Sequence, residues 1–205
     1  ITTKRPELGV VSGKAFASYA ELGESNINGQ INLPLGDTIA LGLYAFHRKH
    51  DGYIENVVRN EKWGGSKNYG VRAKLLLEPT DNFSVLIIGD WSKVKRQGPG
   101  QTWTLNRLPS FANPLMAARF GNLTSLGITP GFDNTKSAEE YPGFSSEANY
   151  GASVEINVGL GDYDLTSVTA FRKLNEGKQN FAIDASSVPI FTAQPTGVDQ
   201  SFLSE

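Results

Sequence analysis

From residue 27 the chain alternates. Ile27, Gly29, Ile31, Leu33 and Leu35 fall between Asn28, Gln30, Asn32 and Pro34. Ile39, Leu41, Leu43 and Ala45 then fall between Ala40, Gly42, Tyr44 and Phe46. Successive side chains of an extended strand leave opposite faces, so a period of two predicts strand. Pro34-Leu35-Gly36-Asp37 between the two runs has turn chemistry. The pair therefore predicts a hairpin with one apolar face. The same pattern predicts strands over about 10–20, 25–35, 38–48, 66–78, 82–93, 148–159 and 163–174, with an eighth starting near 198. No segment carries a convincing helical period. The expected fold is all-β, an antiparallel up-and-down meander.

The connections sort by length. Those at 35–37, 78–81 and 159–162 are tight. Those expected at about 49–65, 94–147 and 175–197 are long, and the one at 21–24 is short. Short turns at one end and long loops at the other are the habit of a transmembrane β-barrel. The faces agree with that reading. Tyr69, Val71, Ala73, Leu75 and Leu77 oppose Asn68, Arg72, Lys74 and Glu78, and Tyr150, Ala152, Val154, Ile156 and Val158 oppose Ser153, Glu155 and Asn157. Charge stays off the apolar side, where a lysine or arginine at the bilayer midplane costs about 2–4 kcal/mol. Tyr19, Tyr69, Trp91 and Tyr150 lie near strand ends on that side, as interfacial aromatics do. Over 163–174, Arg172 assigns Thr166, Val168, Ala170 and Arg172 to the inner set. Leu86 and Ile88 also point inward beside Ser84 and Asp90, and so need an internal packing partner.

Composition narrows the function. Of 205 residues 39% are hydrophobic, and no run approaches the length of a membrane helix, a test that barrel strands escape. Nineteen basic against 21 acidic residues argue against non-specific nucleic-acid binding. With no cysteine there is no disulfide framework and no thiolate metal site. His47 and His50 are the two histidines, and three-residue spacing on a strand sends them to opposite faces. Gly64-Gly65-Ser66-Lys67 lacks the spacing of a phosphate loop. Nothing has the arrangement of a catalytic centre, and no cofactor is expected. The chain begins at Ile1 without Met and ends as a strand begins, so it reads as part of a longer protein.

A resemblance gives these features a frame. Ile1-Thr2-Thr3-Lys4-Arg5-Pro6 resembles the end of the plug domain in TonB-dependent outer-membrane receptors of the siderophore-receptor type. Leu33-Pro34-Leu35-Gly36-Asp37-Thr38 is similar to that family's first periplasmic turn. Phe46-His47-Arg48-Lys49-His50-Asp51-Gly52-Tyr53-Ile54-Glu55-Asn56 resembles its Arg-x-x-Asp-Gly-Tyr-x-x-Asn strand end. Tyr69–Leu75 with Glu78-Pro79-Thr80-Asp81, and Leu165–Arg172, are similar to further barrel strands. The resemblance implies the end of a plug over 1–9 and the N-terminal portion of a barrel over 10–205. It also implies residence in the outer membrane of a Gram-negative bacterium. The implied role is energised uptake of a scarce ligand, such as an iron–siderophore complex. The implied partners are outer-membrane lipid, the rest of the plug and barrel, the inner-membrane coupling protein TonB, and the ligand.

Two sets of side chains are candidates for binding. The inner set is Lys14, Arg48, Arg72, Lys74, Asp90, Glu155 and Arg172, which can line a ligand path or pair with a plug. The outer set is Trp63, Arg96, Trp103, Arg107, Phe111, Arg119 and Phe120, in which arginine forks suit anions and aromatics supply rigid contact area. Two other readings stand beside the transporter: a small self-contained outer-membrane barrel acting as an adhesin or structural protein, and a soluble β-sandwich that binds carbohydrate.

Overall fold

Each alternating segment forms a strand and pairs with its neighbour in sequence. The computed structural model describes residues 3–97, 114–140, 143–177, 181–182, 192–193 and 199–204. The strands are β1 (Ser12–Ala20), β2 (Glu24–Pro34), β3 (Ile39–Asn56), β4 (Glu61–Thr80), β5 (Phe83–Gln97), β6 (Lys136–Ser137), β7 (Phe144–Leu160), β8 (Tyr163–Glu176), β9 (Phe181–Ala182), β10 (Thr192–Ala193) and β11 (Asp199–Ser204). One α-helix among the described residues, α1, spans Pro114–Ser125, and a single 3-10 turn covers Glu21–Gly23. The main sheet runs β1-β2-β3-β4-β5-β7-β8-β11, every pair in that path antiparallel. The fold is thus an all-β up-and-down meander. The sheet is open, with β1 and β11 at its edges.

The register sorts side chains as the alternation requires. One row runs Gly13–Ile31–Leu43–Ala73–Gly89–Ala152–Phe171–Leu203, apolar throughout. The row one step along runs Lys14–Gln30–Tyr44–Arg72–Asp90–Gly151–Arg172. Directly paired residues share a face, so these rows define an apolar and a polar face. Arg172 lies in the polar row, as the sequence assigns it. On the apolar face Tyr69 meets Trp91 edge-on at 5.6 Å between ring centroids.

Two expectations are corrected. The long loop expected over 49–65 is mostly strand, since β3 runs to Asn56, β4 starts at Glu61, and residues 57–60 make the turn. Asp51-Gly52 and Gly64-Gly65 look like breakers, but they stand opposite one another. Gly52 pairs with Gly64, and the register shifts just beyond, between Gly52 and Ile54. Gly52 has φ +85°, and a Cβ there would lie 2.2 Å from the Trp63 carbonyl oxygen. The glycines therefore bend a continuous ribbon through a bulge.

The second correction is α1, which no amphipathic period announces. Pro114 sits at its first position, where a missing N–H costs nothing. Gly127, at φ +76°, ends it. The Gly127 N–H donates to the Thr124 carbonyl, and the Ile128 N–H to that of Leu123. This is a Schellman cap with its usual apolar contact, Ile128 on Leu123. Leu123, Ile128 and Ala138 form a small core against Val57. Strand β6 carries that unit onto the end of β3 in parallel pairing.

Candidate functional site

Residues 3–10 run as a strap across the polar face, held there along its length by contacts of Thr3, Arg5, Pro6, Glu7 with Val10, and Leu8. Lys74 Nζ donates to the Thr3 carbonyl at 2.6 Å. Arg5 reaches Glu155 at 3.2 Å, Ser84 at 3.3 Å and Glu78 at 3.6 Å. Pro6 is buried and seats on Gly42, where an added Cβ would lie 3.2 Å from Pro6 Cγ. Asn32 accepts from the Glu7 N–H and donates to the carbonyls of Glu7 and Val10. Leu8 packs on Ala40, Leu76 and Leu86 beside Ile88. The strap thus supplies the packing partner that the inward-facing Leu86 and Ile88 require.

The inner candidates share this face. Asp90, whose side chain is 14% exposed, accepts from Arg72 at 3.2 Å and from Arg172 at 3.1 Å. Arg172 crosses β7 to reach it. It can do so because the intervening residue is Gly151, where a Cβ would sit 2.6 Å from an Arg172 nitrogen. Lys14, Arg72 and Lys74 line one cavity under the strap. Glu155 is taken by Arg5. Arg48 lies over the Phe46 ring at 5.7 Å, and Phe46 in turn meets Tyr44 at 5.9 Å.

The outer candidates are not brought together. Trp63 is 1% exposed beside its register partner Ile54, so its ring is core rather than contact surface. Arg96 lies on β5, 3.9 Å from Glu147. Arg119 and Phe120 belong to α1, but their side chains, like all of Trp103, Arg107 and Phe111, lie outside the described residues. His47 stacks on Tyr69 at 6.5 Å on the apolar face, and His50 pairs with Ser66 on the polar face. Among the described residues no cluster of three or more histidine or carboxylate side chains is placed to hold a metal.

The tip of the β3–β4 hairpin holds a polar network missed from the sequence. Asn56 is fully buried. It donates to the Glu139 carbonyl at 2.6 Å and accepts from the N–H groups of Val58 and Arg59. Glu61 accepts from Arg59 at 3.1 Å and from the Trp63 indole at 3.3 Å. The Arg59 hydrogen bonds hold the Glu61 carboxyl below its ordinary value of 4.5, against the opposing effect of burial, and the Trp63 N–H adds to the lowering. A depressed carboxylate stabilises the fold above its unfolded pKa, and that support is lost as pH falls through the folded value. In a Trp91→Phe, Trp103→Phe background, Trp63 fluorescence is therefore expected to red-shift as pH drops below 4.5. Glu61→Gln should abolish this pH dependence.

No protein-family model, curated protein or solved structure matches this chain.

Proposed function

We propose that this chain is the N-terminal barrel section of a TonB-dependent outer-membrane receptor that takes up an iron–siderophore complex in a Gram-negative bacterium. The ligand class comes from the sequence resemblance. In this reading the apolar face meets lipid, the polar face lines a filled lumen, and the strap is the last stretch of the plug. TonB acts through that plug, and the protein makes or breaks no covalent bond.

One observation carries the reading: two opposite faces coexist on a single sheet. The apolar face remains exposed, with Val71 at 53% and Leu43 at 41%. Among the described residues the other sheet is the β9–β10 pair, two residues per strand, which is too small to cover it as the second layer of a soluble sandwich would. A continuous apolar surface across eight strands is far larger than a soluble monomer tolerates. The opposite face carries the Arg5–Glu155, Arg72–Asp90 and Arg172–Asp90 ion pairs, and the strap lies on it.

The chain lacks cysteine, so single cysteines can be labelled cleanly. With a bimane label in the full-length protein, positions Val71 and Ala152 should be quenched by nitroxide-bearing lipids. Ser92 and Ser153, on the polar face, should not. Equal quenching at all four would remove the lipid assignment. Uptake of radiolabelled ferric siderophore should cease on gene deletion and in the presence of a protonophore. Unchanged uptake would remove the transport assignment alone.

A further inference from the structure

We propose that a step of lysines at the hairpin-tip end of the apolar face is a docking surface for the phosphate-bearing headgroups of anionic membrane lipid. The proposal deepens the lipid assignment of that face and rests on it.

The register builds the step. One row of the apolar face runs Val71–Trp91–Tyr150. The next row toward the β3–β4 tip runs Ile27–His47–Tyr69–Lys93. The row after it runs Ser25–Lys49–Lys67–Lys95. Directly paired residues share a face, so these lysines stand on the apolar side, just beyond the packed rings of His47, Tyr69 and Trp91. Their height suits a headgroup layer. Lys49 lies ten residues beyond Ile39, where β3 begins. Lys67 lies ten before Leu77, the partner of Ile39, and Lys95 ten after Val85, the partner of Leu77. A membrane strand crosses the hydrocarbon in about 9–11 residues, so all three lysines emerge at its boundary.

The charge on this step is in excess. Residues directly opposite across strands have Cβ atoms about 5 Å apart, and like charges placed so repel. Asp51 pairs with Lys49 at 2.7 Å, and Lys62 and Lys67 act on the same carboxylate. Among the described residues no carboxylate comes within ion-pair distance of Lys67, Lys93 or Lys95. Residues 98–113, which follow β5, contain no aspartate or glutamate. Farther round the face Lys173 already has Asp199 at 3.7 Å, so the excess is confined to β3, β4 and β5. Phosphate oxygens would relieve it through charge-assisted hydrogen bonds. A free phosphate would leave the rings and the apolar rows beside them bare. A lipid covers both, its phosphate on the lysines and its chains on the apolar rows, with the aromatics at the level between.

The test uses the full-length protein in phosphatidylcholine vesicles, with bimane on a Ser25→Cys variant, since Ser25 pairs directly with Lys49. A small fraction of nitroxide-labelled phosphatidylglycerol, or of phosphatidylcholine with the same label, is added. Each lysine near an anionic surface is worth about a fivefold enrichment, so at low salt the anionic lipid should quench at least about fivefold more effectively. That preference should fade as salt rises. Joint replacement Lys67→Gln, Lys93→Gln and Lys95→Gln should abolish it, and the three arginine replacements should keep it. Lys14→Gln, on the opposite face, should leave it unchanged. Equal quenching by the two lipids in the wild-type background would overturn the proposal without any variant having to fold. A preference that survives the joint glutamine replacement would overturn it as well. Normal quenching at Val71 with no preference at Ser25 would remove this surface alone, whereas loss of quenching at Val71 would remove the lipid assignment and this surface with it.

Discussion

Leu43→Lys is expected to block assembly of the full-length protein into the outer membrane, whereas Asn28→Lys is expected to assemble normally. Leu43 sits in the wholly apolar register row, between Ile31 and Ala73. It lies five residues beyond the turn that ends at Thr38. At roughly 3.4 Å per residue that is about 17 Å along the strand, and less in depth once the strand tilts. This places it near the middle of a hydrocarbon band about 25 Å tall. A lysine there costs about 2–4 kcal/mol, a factor of roughly 30 to 1,000 in the assembly equilibrium. Asn28 pairs with Phe46 on the polar face, where a cation joins others already present. Heat-modifiable gel mobility in outer-membrane fractions reads the result directly. Comparable assembly of the two variants would mean that the apolar face does not meet lipid.

Gly52→Ala is the second large effect, confined to the tall hairpin. Its backbone lies in the left-handed region, and an added Cβ would stand 2.2 Å from the Trp63 carbonyl oxygen and 2.5 Å from the Gly65 nitrogen. Both are main-chain atoms of the paired strand, so no side-chain rotation relieves the clash. Opposite, Gly65 has equally little room, 2.7 Å from the Asp51 carbonyl oxygen. Strain of this kind costs about 1–3 kcal/mol for the dihedral alone, and more with the clash. The expected result is rapid amide exchange over 52–65 with β1–β2 protection unchanged. Gly89→Ala, where an added Cβ meets nothing within 4 Å, is the neutral comparison. Wild-type protection in Gly52→Ala would show that the bulge is not as tight as described.

Much of this architecture was legible because a period of two is hard to counterfeit. Strands β1 to β5, β7 and β8 follow directly from alternation, and β11 follows from the start signalled near 198. What escaped was read through glycine. Asp51-Gly52 and Gly64-Gly65 carry turn composition, and composition does not reveal that two breakers sit opposite each other within one ribbon. Helix α1 gives little periodic signal: among its described side chains Leu123 is buried, while Pro114, Ala117, Ala118, Gly121, Asn122, Thr124 and Ser125 are exposed. Pro114 as a start and Gly127 as a stop were its available signals. The inner candidates were found because charge opposite an apolar stripe must face something other than lipid. Their grouping around Asp90, and the role of Asn32 in holding the strap, depend on neighbours across strands, which one sequence does not list in spatial order. Trp63 was drawn to the surface by its supposed loop, and once the loop became strand, its ring turned inward.

Alternation alone leaves sliding undetermined. A strand displaced by one position exposes the wrong side chains, but a displacement of two keeps every residue on its proper side. Arg172 reaching over Gly151 to Asp90 removes that freedom. Moving β8 by two residues would carry its guanidinium roughly 6.8 Å along the strand and out of bonding range. Three successive strands are thereby pinned to one alignment by a single carboxylate and one missing side chain.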